Sequence, residues 1–382
     1  MTDPSRPVLS AALDGCTIVI AVDRRSLELA AALERHGAAV RHAPALTIVP
    51  HIDDDALIAA THELIAQPPQ IVVVTTGVGF RGWMEAADEA GLLDELSAAL
   101  AGAQIVARGP KARGAIQQAG LTADWVAESE TSVELGEYLL AEGVTGRRIA
   151  VQHHGSGADG LDELFEEAGA DVVSLTVYRW GPPPDAVAVC RSVAATAQGE
   201  VDAVLFTSAP GAAEWLAAAA REGVLDDIVD LADSGRVLMA AVGPITAGPL
   251  VDVGITPLIA ERGRLGSLVR AVVTHFGGGH AASLQTTAGR LELRSTGAVL
   301  DGAHVPLSRT GVDILAALFE AAGGVVSRQR LQNALPRSGE NTHAVEMAVA
   351  RVREALGVTD LIKTVVKRGY RLNVLDPAEA SA

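Results

Sequence analysis

The sequence predicts an α/β protein made of two copies of one parallel-sheet unit, followed by a small basic module of helices and a hairpin. Three observations predict it. Stretches of the first 276 residues repeat at a nearly constant offset; short β-branched runs alternate with helical segments inside each copy; and the charge changes sign near the C-terminus. The chain of 382 residues carries net charge −17, yet residues 287–375 hold 12 Lys/Arg against 8 Asp/Glu, so that segment is +4 and the remainder −21. An acidic body repels phosphate, whereas a local basic module neutralises a few phosphates and releases their counterions.

The repeat is visible by eye. Val-Val-Val-Thr-Thr-Gly-Val-Gly-Phe-Arg-Gly-Trp (72–83) aligns with Val-Leu-Phe-Thr-Ser-Ala-Pro-Gly-Ala-Ala-Glu-Trp (204–215), an offset of 132. Both continue to Gly-x-Leu-Asp, at Gly91 and Gly223. Upstream, residues 34–40 align with 166–172 at the same offset. Downstream, Ala-Arg-Gly-Pro-Lys-Ala-Arg-Gly (107–114) aligns with Ala-Val-Gly-Pro-Ile-Thr-Ala-Gly (241–248) at 134.

Within the copies, strands are expected over 17–22, 71–75, 149–151, 201–206 and 237–242, each followed by an Ala/Leu/Glu-rich segment of helical spacing. Such alternation implies parallel sheets covered by helices, with ligands gathering at loops leaving the carboxyl ends of the strands. Those loops are 23–26, 75–79, 108–113, 153–157, 207–211 and 243–246. Their Gly, Thr and Ser residues suit backbone N–H and hydroxyl donors for an anion. Any one loop alone also fits an ordinary turn and helix cap. The candidate ligand residues are Thr75, Thr76, Arg108, Lys111, His153, Ser156, Thr207, Ser208 and Thr246.

Composition excludes several classes. The chain is 49% hydrophobic and can bury two or three cores. It has no apolar run of about 18 residues, so no membrane helix is expected. No secretory leader is visible, and a reduced, cytoplasmic protein is expected. Cys16 and Cys190 are isolated and read as small hydrophobes. Gly155-Ser-Gly157-Ala-Asp-Gly160 spells a dinucleotide fingerprint, but residues 172–180 lack the acid that would hold a ribose. His153-His154 suggests metal, yet neighbouring strand residues point to opposite faces, so neither metal nor cofactor is expected. A phospho-acceptor receiver domain is disfavoured as well, because the strand over 71–75 ends in Thr-Thr rather than aspartate.

The Thr-Ser after a strand (207–208), Val-Gly-Pro-x-Thr-Ala (242–247) and Val-Tyr-Arg (177–179) resemble uroporphyrinogen-III synthase. The resemblance implies two flavodoxin-like domains joined by a two-stranded ladder, with the active site between them. Domain one would be residues 15–48 with 182–276, domain two 49–181, and residues 1–14 a disordered N-terminus. The family closes hydroxymethylbilane into a macrocycle with inversion of ring D, without metal or cofactor, by positioning and charge stabilisation. The matching tyrosine, Tyr178, would assist departure of the hydroxyl. The hydroxyl donors that match are Thr207, Ser208 and Thr246. The first copy departs from the pattern. Ala112 stands where Gly-Pro-x-Thr has threonine, flanked by Lys111 and Arg113, and Thr-Thr-Gly-Val-Gly-Phe (75–80) replaces Thr-Ser-x-Asn-Ala-Val. Lost hydroxyls and added cations fit a site that holds an anion without turning it over.

The C-terminal module reads Gly-Ala-His-Val-Pro-Leu-Ser-Arg (302–309), a helix to Ala322, Val-Val-Ser-Arg-Gln-Arg-Leu (325–331), a helix over 341–356, and Ile-Lys-Thr-Val-Val-Lys-Arg-Gly-Tyr-Arg-Leu (362–372). It resembles the winged helix-turn-helix output domain of response regulators (OmpR/PhoB-like), over 288–375, after a flexible linker at 277–287 and before a tail at 376–382. Val345, Val349, Val352 and Leu356, spaced 4, 3 and 4, form one buried stripe. The opposite face offers His343, Glu346, Ala350, Arg351 and Arg353 to a major groove, and Lys367 and Arg368 sit at the tip of the wing. The lysines that usually follow are Glu354 and Ala355 here, implying fewer phosphate contacts. The fusion resembles actinobacterial synthase-like regulators of nitrate and nitrite assimilation. It implies a transcriptional regulator that binds double-stranded promoter DNA and a small anionic ligand, with RNA polymerase or a co-regulator as partner and a homodimer on tandem sites. The alternative is a bifunctional synthase that also binds DNA.

Overall fold

In the computed structural model of the chain, the residues described are 9–23, 25–50, 55–153, 155, 159–335 and 342–375. They fall into two compact units: Thr47–Gly181 forms one, and Met1–Leu46 with Pro182–Ala382 forms the other.

Each unit is built on a five-stranded parallel sheet. In the first the order is Leu258–Ile259, Leu238–Ala241, Ala203–Phe206, Thr17–Ile20, Ala39–His42. In the second it is Trp125–Val126, Gln104–Ala107, Ile71–Val74, Arg148–Gln152, Asp171–Leu175. Central strands such as Ile-Val-Val-Val (71–74) are buried along their whole length, because helices cover both faces and leave no side for water. The second unit also contains an antiparallel two-stranded ladder, Thr47–Pro50 with Tyr178–Gly181, at the points where the chain enters and leaves it.

The two sheets correspond strand for strand, and the correspondence crosses the repeat. Thr17–Ile20 and Ala39–His42 belong to the first sequence copy, yet they pair in a sheet with strands of the second. Arg148–Gln152 and Asp171–Leu175, from the second copy, complete the sheet begun by the first. Each five-stranded sheet thus takes three strands from one copy and two from the other. Both cores keep the same buried anchor: Trp83 Nε1 donates to Thr61 Oγ1 at 3.0 Å, and Trp215 Nε1 to Ser192 Oγ at 2.9 Å.

The C-terminal part begins with a four-stranded antiparallel sheet, Ser283–Thr286, Gly289–Arg294, Gly297–Leu300 and Ala303–Pro306. Helices Arg309–Glu320, Arg328–Asn333 and Thr342–Leu356 follow, and a hairpin of Ile362–Val365 with Gly369–Leu372 closes it. Ser308 and Ser327 cap the first two helices by accepting from Gly311 N and Arg330 N. The stripe Val345, Val349, Val352 and Leu356 is buried against Ile314, Leu318 and Leu331. This arrangement is a winged helix.

Two segments differ from the sequence expectation. Residues 277–287 do not form a linker throughout: Ser283–Thr286 is a strand paired with Gly289–Glu292, and Gly277 ends the helix Leu265–Gly277. Local composition favours a loose Gly-rich stretch, but the ladder supplies hydrogen bonds that composition does not show. Residues 9–14 are ordered rather than disordered. Leu9 N donates to Arg35 O at 2.7 Å, and Leu13 is fully buried in the core with Ile18, Leu33 and Phe276. Residues 1–8 and the expected tail at 376–382 lie outside the described residues. Among the described residues, no helix is long and apolar enough to cross a membrane.

Candidate functional site

In the unit Thr47–Gly181, the candidate residues cluster where Ile71–Val74, Gln104–Ala107 and Arg148–Gln152 end. The strand ladder carries the chain straight into Thr75, Arg108 and His153. Thr75 is buried and its hydroxyl donates to Gln152 O at 2.8 Å. Thr76 caps the helix Gly77–Glu89, its Oγ1 accepting from Gly79 N at 3.0 Å. Both hydroxyls therefore already serve the fold. Gly77 is required by close packing, since a Cβ there would lie 2.3 Å from Lys111 O. Lys111 and Arg113 are exposed at the start of the neighbouring helix, Pro110–Gln118, and Ala112 is buried.

His153 is almost fully buried between two carboxylates. Its Nδ1 donates to Asp159 Oδ1 at 3.0 Å and its Nε2 to Asp162 Oδ1 at 2.8 Å. Burial works against the charged ring, but these two bonds outweigh it and raise its pKa to about 9. His153 is an imidazolium whose charge is already matched, so it offers little to an incoming anion. Arg108 is different. It is half-buried, and burial pulls its guanidinium down from its ordinary range against the opposing influence of Tyr178, Asp159 and Glu130. An arginine stays cationic under such a shift, which leaves a cation on this edge beside an aromatic pair. Tyr178 is buried and meets Trp180 edge to face, ring centres 5.7 Å apart. Trp180 Nε1 is buried without a hydrogen-bond partner among the described residues. A Cβ at Gly155 would come within 2.5 Å of the Tyr178 ring, so that glycine lets the backbone pass the aromatic pair. Ser156 lies outside the described residues. Sequence reasoning missed Asp159, Asp162, Glu130 and Trp180; the signal for the first two was an acid six and nine residues after His153.

The other unit carries the counterpart edge. Thr207 and Ser208 follow Ala203–Phe206 and are half-buried. Ser208 caps the helix Ala209–Arg221 by accepting from Gly211 N at 3.3 Å, the equivalent of Thr76. Thr246 is buried in the first turn of Pro244–Asp252, where the other copy has Ala112.

In the winged helix, His343, Glu346, Ala350 and Arg351 lie exposed along one face of Thr342–Leu356. Arg353 does not point freely outward. Its Nε donates to Ile362 O at 2.9 Å and its Nη2 to Thr364 Oγ1 at 3.0 Å, pinning the helix to the first strand of the wing. Lys367, in the left-handed region at φ 62°, and Arg368 form the exposed turn. Lys363 and Arg371 are exposed cross-strand partners on the same hairpin. Like charges directly opposite repel, and a phosphate backbone relieves that repulsion.

Two α/β units of one kind, fused to a winged helix with an exposed cationic face, define a protein with the build of a DNA-binding regulator. Comparison with known proteins gives the family. The profile "Uroporphyrinogen-III synthase HemD" matches residues 28–270, and "Transcriptional regulatory protein, C terminal" matches 302–372. The chain belongs to the uroporphyrinogen-III synthase family and carries, in addition, a transcription-regulator DNA-binding domain. It is 31% identical over 208 residues to the uncharacterized protein YjjA of Bacillus subtilis, covering 54% of this chain and 76% of that one. It is also 31% identical over 171 residues to a putative uroporphyrinogen-III synthase of Methanothermobacter thermautotrophicus, covering 44% of this chain and 65% of that protein. Among solved structures, a mutant uroporphyrinogen III synthase of Thermus thermophilus aligns with TM-score 0.54 and 30% identity, over 67% of this chain and 98% of that one.

Proposed function

We propose that this protein is a transcriptional regulator whose synthase-like units hold a small anionic ligand of the tetrapyrrole class and whose winged helix reads promoter DNA. The observation that carries the reading is the pairing of a synthase-family body with an open reading face, Arg351 together with the Lys367–Arg368 wing turn. On the ligand side, Thr75 and Thr76 spend their hydroxyls on the fold, and Ala112 stands where the other copy keeps Thr246. Arg108, Tyr178 and Trp180 then suit retention of a carboxylated aromatic ligand. Control of nitrate and nitrite assimilation is a chemically coherent role, since sirohaem derives from uroporphyrinogen III. RNA polymerase or a co-regulator, and a second copy on a tandem site, complete the proposed assembly.

Tyr178, Thr207, Ser208 and Thr246 favour a second reading, a bifunctional synthase that also binds DNA. The ring isomer formed from freshly generated hydroxymethylbilane separates the two. Unassisted closure gives the type I isomer, and the sensor reading expects type I alone where a control synthase yields type III. Enrichment of type III establishes the bifunctional enzyme.

Arg351→Ala tests the DNA side. The expected cost in affinity for a cognate promoter fragment is about 1–3 kcal/mol, with relaxed base preference at one position. An equal loss on every sequence would reassign Arg351 to a phosphate. Binding of the intact protein should also weaken steeply with added salt, as counterion release requires.

A further inference from the structure

The winged helix is seated on the first sheet through a buried polar junction rather than carried on a tether. Asp202, immediately before the strand Ala203–Phe206, is 2% exposed. Its Oδ2 accepts from Thr17 N at 2.7 Å, and its Oδ1 accepts from Ser295 N at 2.8 Å and Arg236 Nη1 at 3.4 Å. Thr17 opens the neighbouring central strand, whereas Ser295 lies in the turn between Gly289–Arg294 and Gly297–Leu300 of the winged helix. Ser295 Oγ reaches Thr17 Oγ1 at 2.9 Å, and Thr296 Oγ1 donates to Gly15 O at 2.9 Å. Further along, Arg309 pairs with Glu200 at 3.1 Å and donates to Gln198 O at 2.9 Å.

One carboxylate therefore joins the amino-terminal ends of two central strands to the DNA-binding module. A buried carboxylate is tolerated only with its lone pairs satisfied in a fixed geometry. Relative movement of the three segments breaks that geometry, so they move as one. Meanwhile the reading surface is left open: the His343 side chain is 73% exposed, and Arg351, Lys367 and Arg368 remain exposed with the junction made. Docking does not mask the DNA face. From Asp202 the strand Ala203–Phe206 runs directly to Thr207 and Ser208, about 16 Å away at the usual rise per residue. Its four residues are wholly buried in a close-packed core that shifts as a body rather than yielding.

We propose that Asp202 is the coupling node of this protein: it holds the winged helix in a DNA-competent pose and links the DNA-bound state to the Thr207–Ser208 ligand edge along one strand. The ligand half of this statement rests on the reading given under Proposed function. By linkage, coupling works in both directions, so it can be read without the ligand, from the DNA side.

The experiment is amide hydrogen exchange on the full chain, with and without a short random-sequence duplex at low salt, and with gel retardation run in parallel to report binding itself. The amides of Thr207, Ser208 and Gly211 are expected to exchange about fivefold or more slowly when DNA is bound. Asp202→Asn should abolish that slowing. A second variant, Ser295→Pro, removes the backbone N–H that Asp202 Oδ1 accepts from and should do the same while leaving the Asp202–Thr17 bond in place. Retardation with unchanged exchange at 207–211 overturns the coupling and leaves the regulator reading standing. Slowing that persists in either variant overturns the role of Asp202. Absence of retardation overturns the DNA-binding reading and the coupling together.

Discussion

Arg294→Ala should lower the unfolding free energy of the full chain by about 3 kcal/mol, the range found when one partner of a buried ion pair is removed. Arg294 is 2% exposed, its Nη2 2.5 Å from Glu292 Oε2 and its guanidinium 4.8 Å above the Phe276 ring. Glu292 is itself only 6% exposed and keeps Arg290, at 3.1 Å, as its remaining cation. Truncation leaves a carboxylate in a dry interface with one partner lost, and it also strips the packing from Phe276. Converting Glu292 to Met together with Arg294→Met should restore most of the loss, since neither charge is then stranded. Urea unfolding of the three proteins measures this. A single-variant cost below about 1 kcal/mol would place the pair among solvated surface bridges instead.

The stability of the Thr47–Gly181 unit should fall as pH rises from neutrality. His153 holds its proton more tightly in the folded chain, with a pKa of about 9, than the ordinary imidazole does. A raised folded pKa gives stability that is full below about pH 6.5 and is lost as pH climbs through about 9. The whole window corresponds to about 3 kcal/mol at most. Three of the four tryptophans, Trp83, Trp125 and Trp180, lie in this unit, so fluorescence-detected urea melts report on it. His153→Gln should flatten the dependence. A wild-type midpoint unchanged from pH 6.5 to 9 would mean that Asp159 and Asp162 do not hold a charged ring.

Much of the architecture was legible because the signals were periodic. The 132-residue offset and the all-buried runs such as 71–74 identify parallel sheets, and the 4-3-4 spacing from Val345 to Leu356 identifies the buried stripe of the third helix. What was not legible depends on partners remote in sequence. Ser283–Thr286 becomes a strand only because Gly289–Glu292 pairs with it. Leu9 and Leu13 are held by the carbonyls of Arg35 and His36, which no local window contains. Asp202 reads as an isolated acid inside Val-Asp-Ala-Val-Leu-Phe, and its importance appears only with Ser295, 93 residues later, in place. Arg353 matched a reading-helix arginine by position, yet the wing strand beside it takes its guanidinium donors.

The exchange of strands between the two copies has a consequence during synthesis. Residues 17–42 leave the ribosome well before their neighbour Ala203–Phe206 exists, whereas every strand of the Thr47–Gly181 unit is contiguous in the chain. At roughly 5–20 residues per second, about ten to thirty seconds pass between the two events. Once residue 181 has been made and until residue 203 appears, a complete second unit hangs from an apolar Thr-Ile-Val-Ile strand that has Ala39–His42 on one side and nothing on the other. The nascent protein is therefore a natural client for chaperones, and translation that stalls short of residue 203 delivers an aggregation-prone fragment.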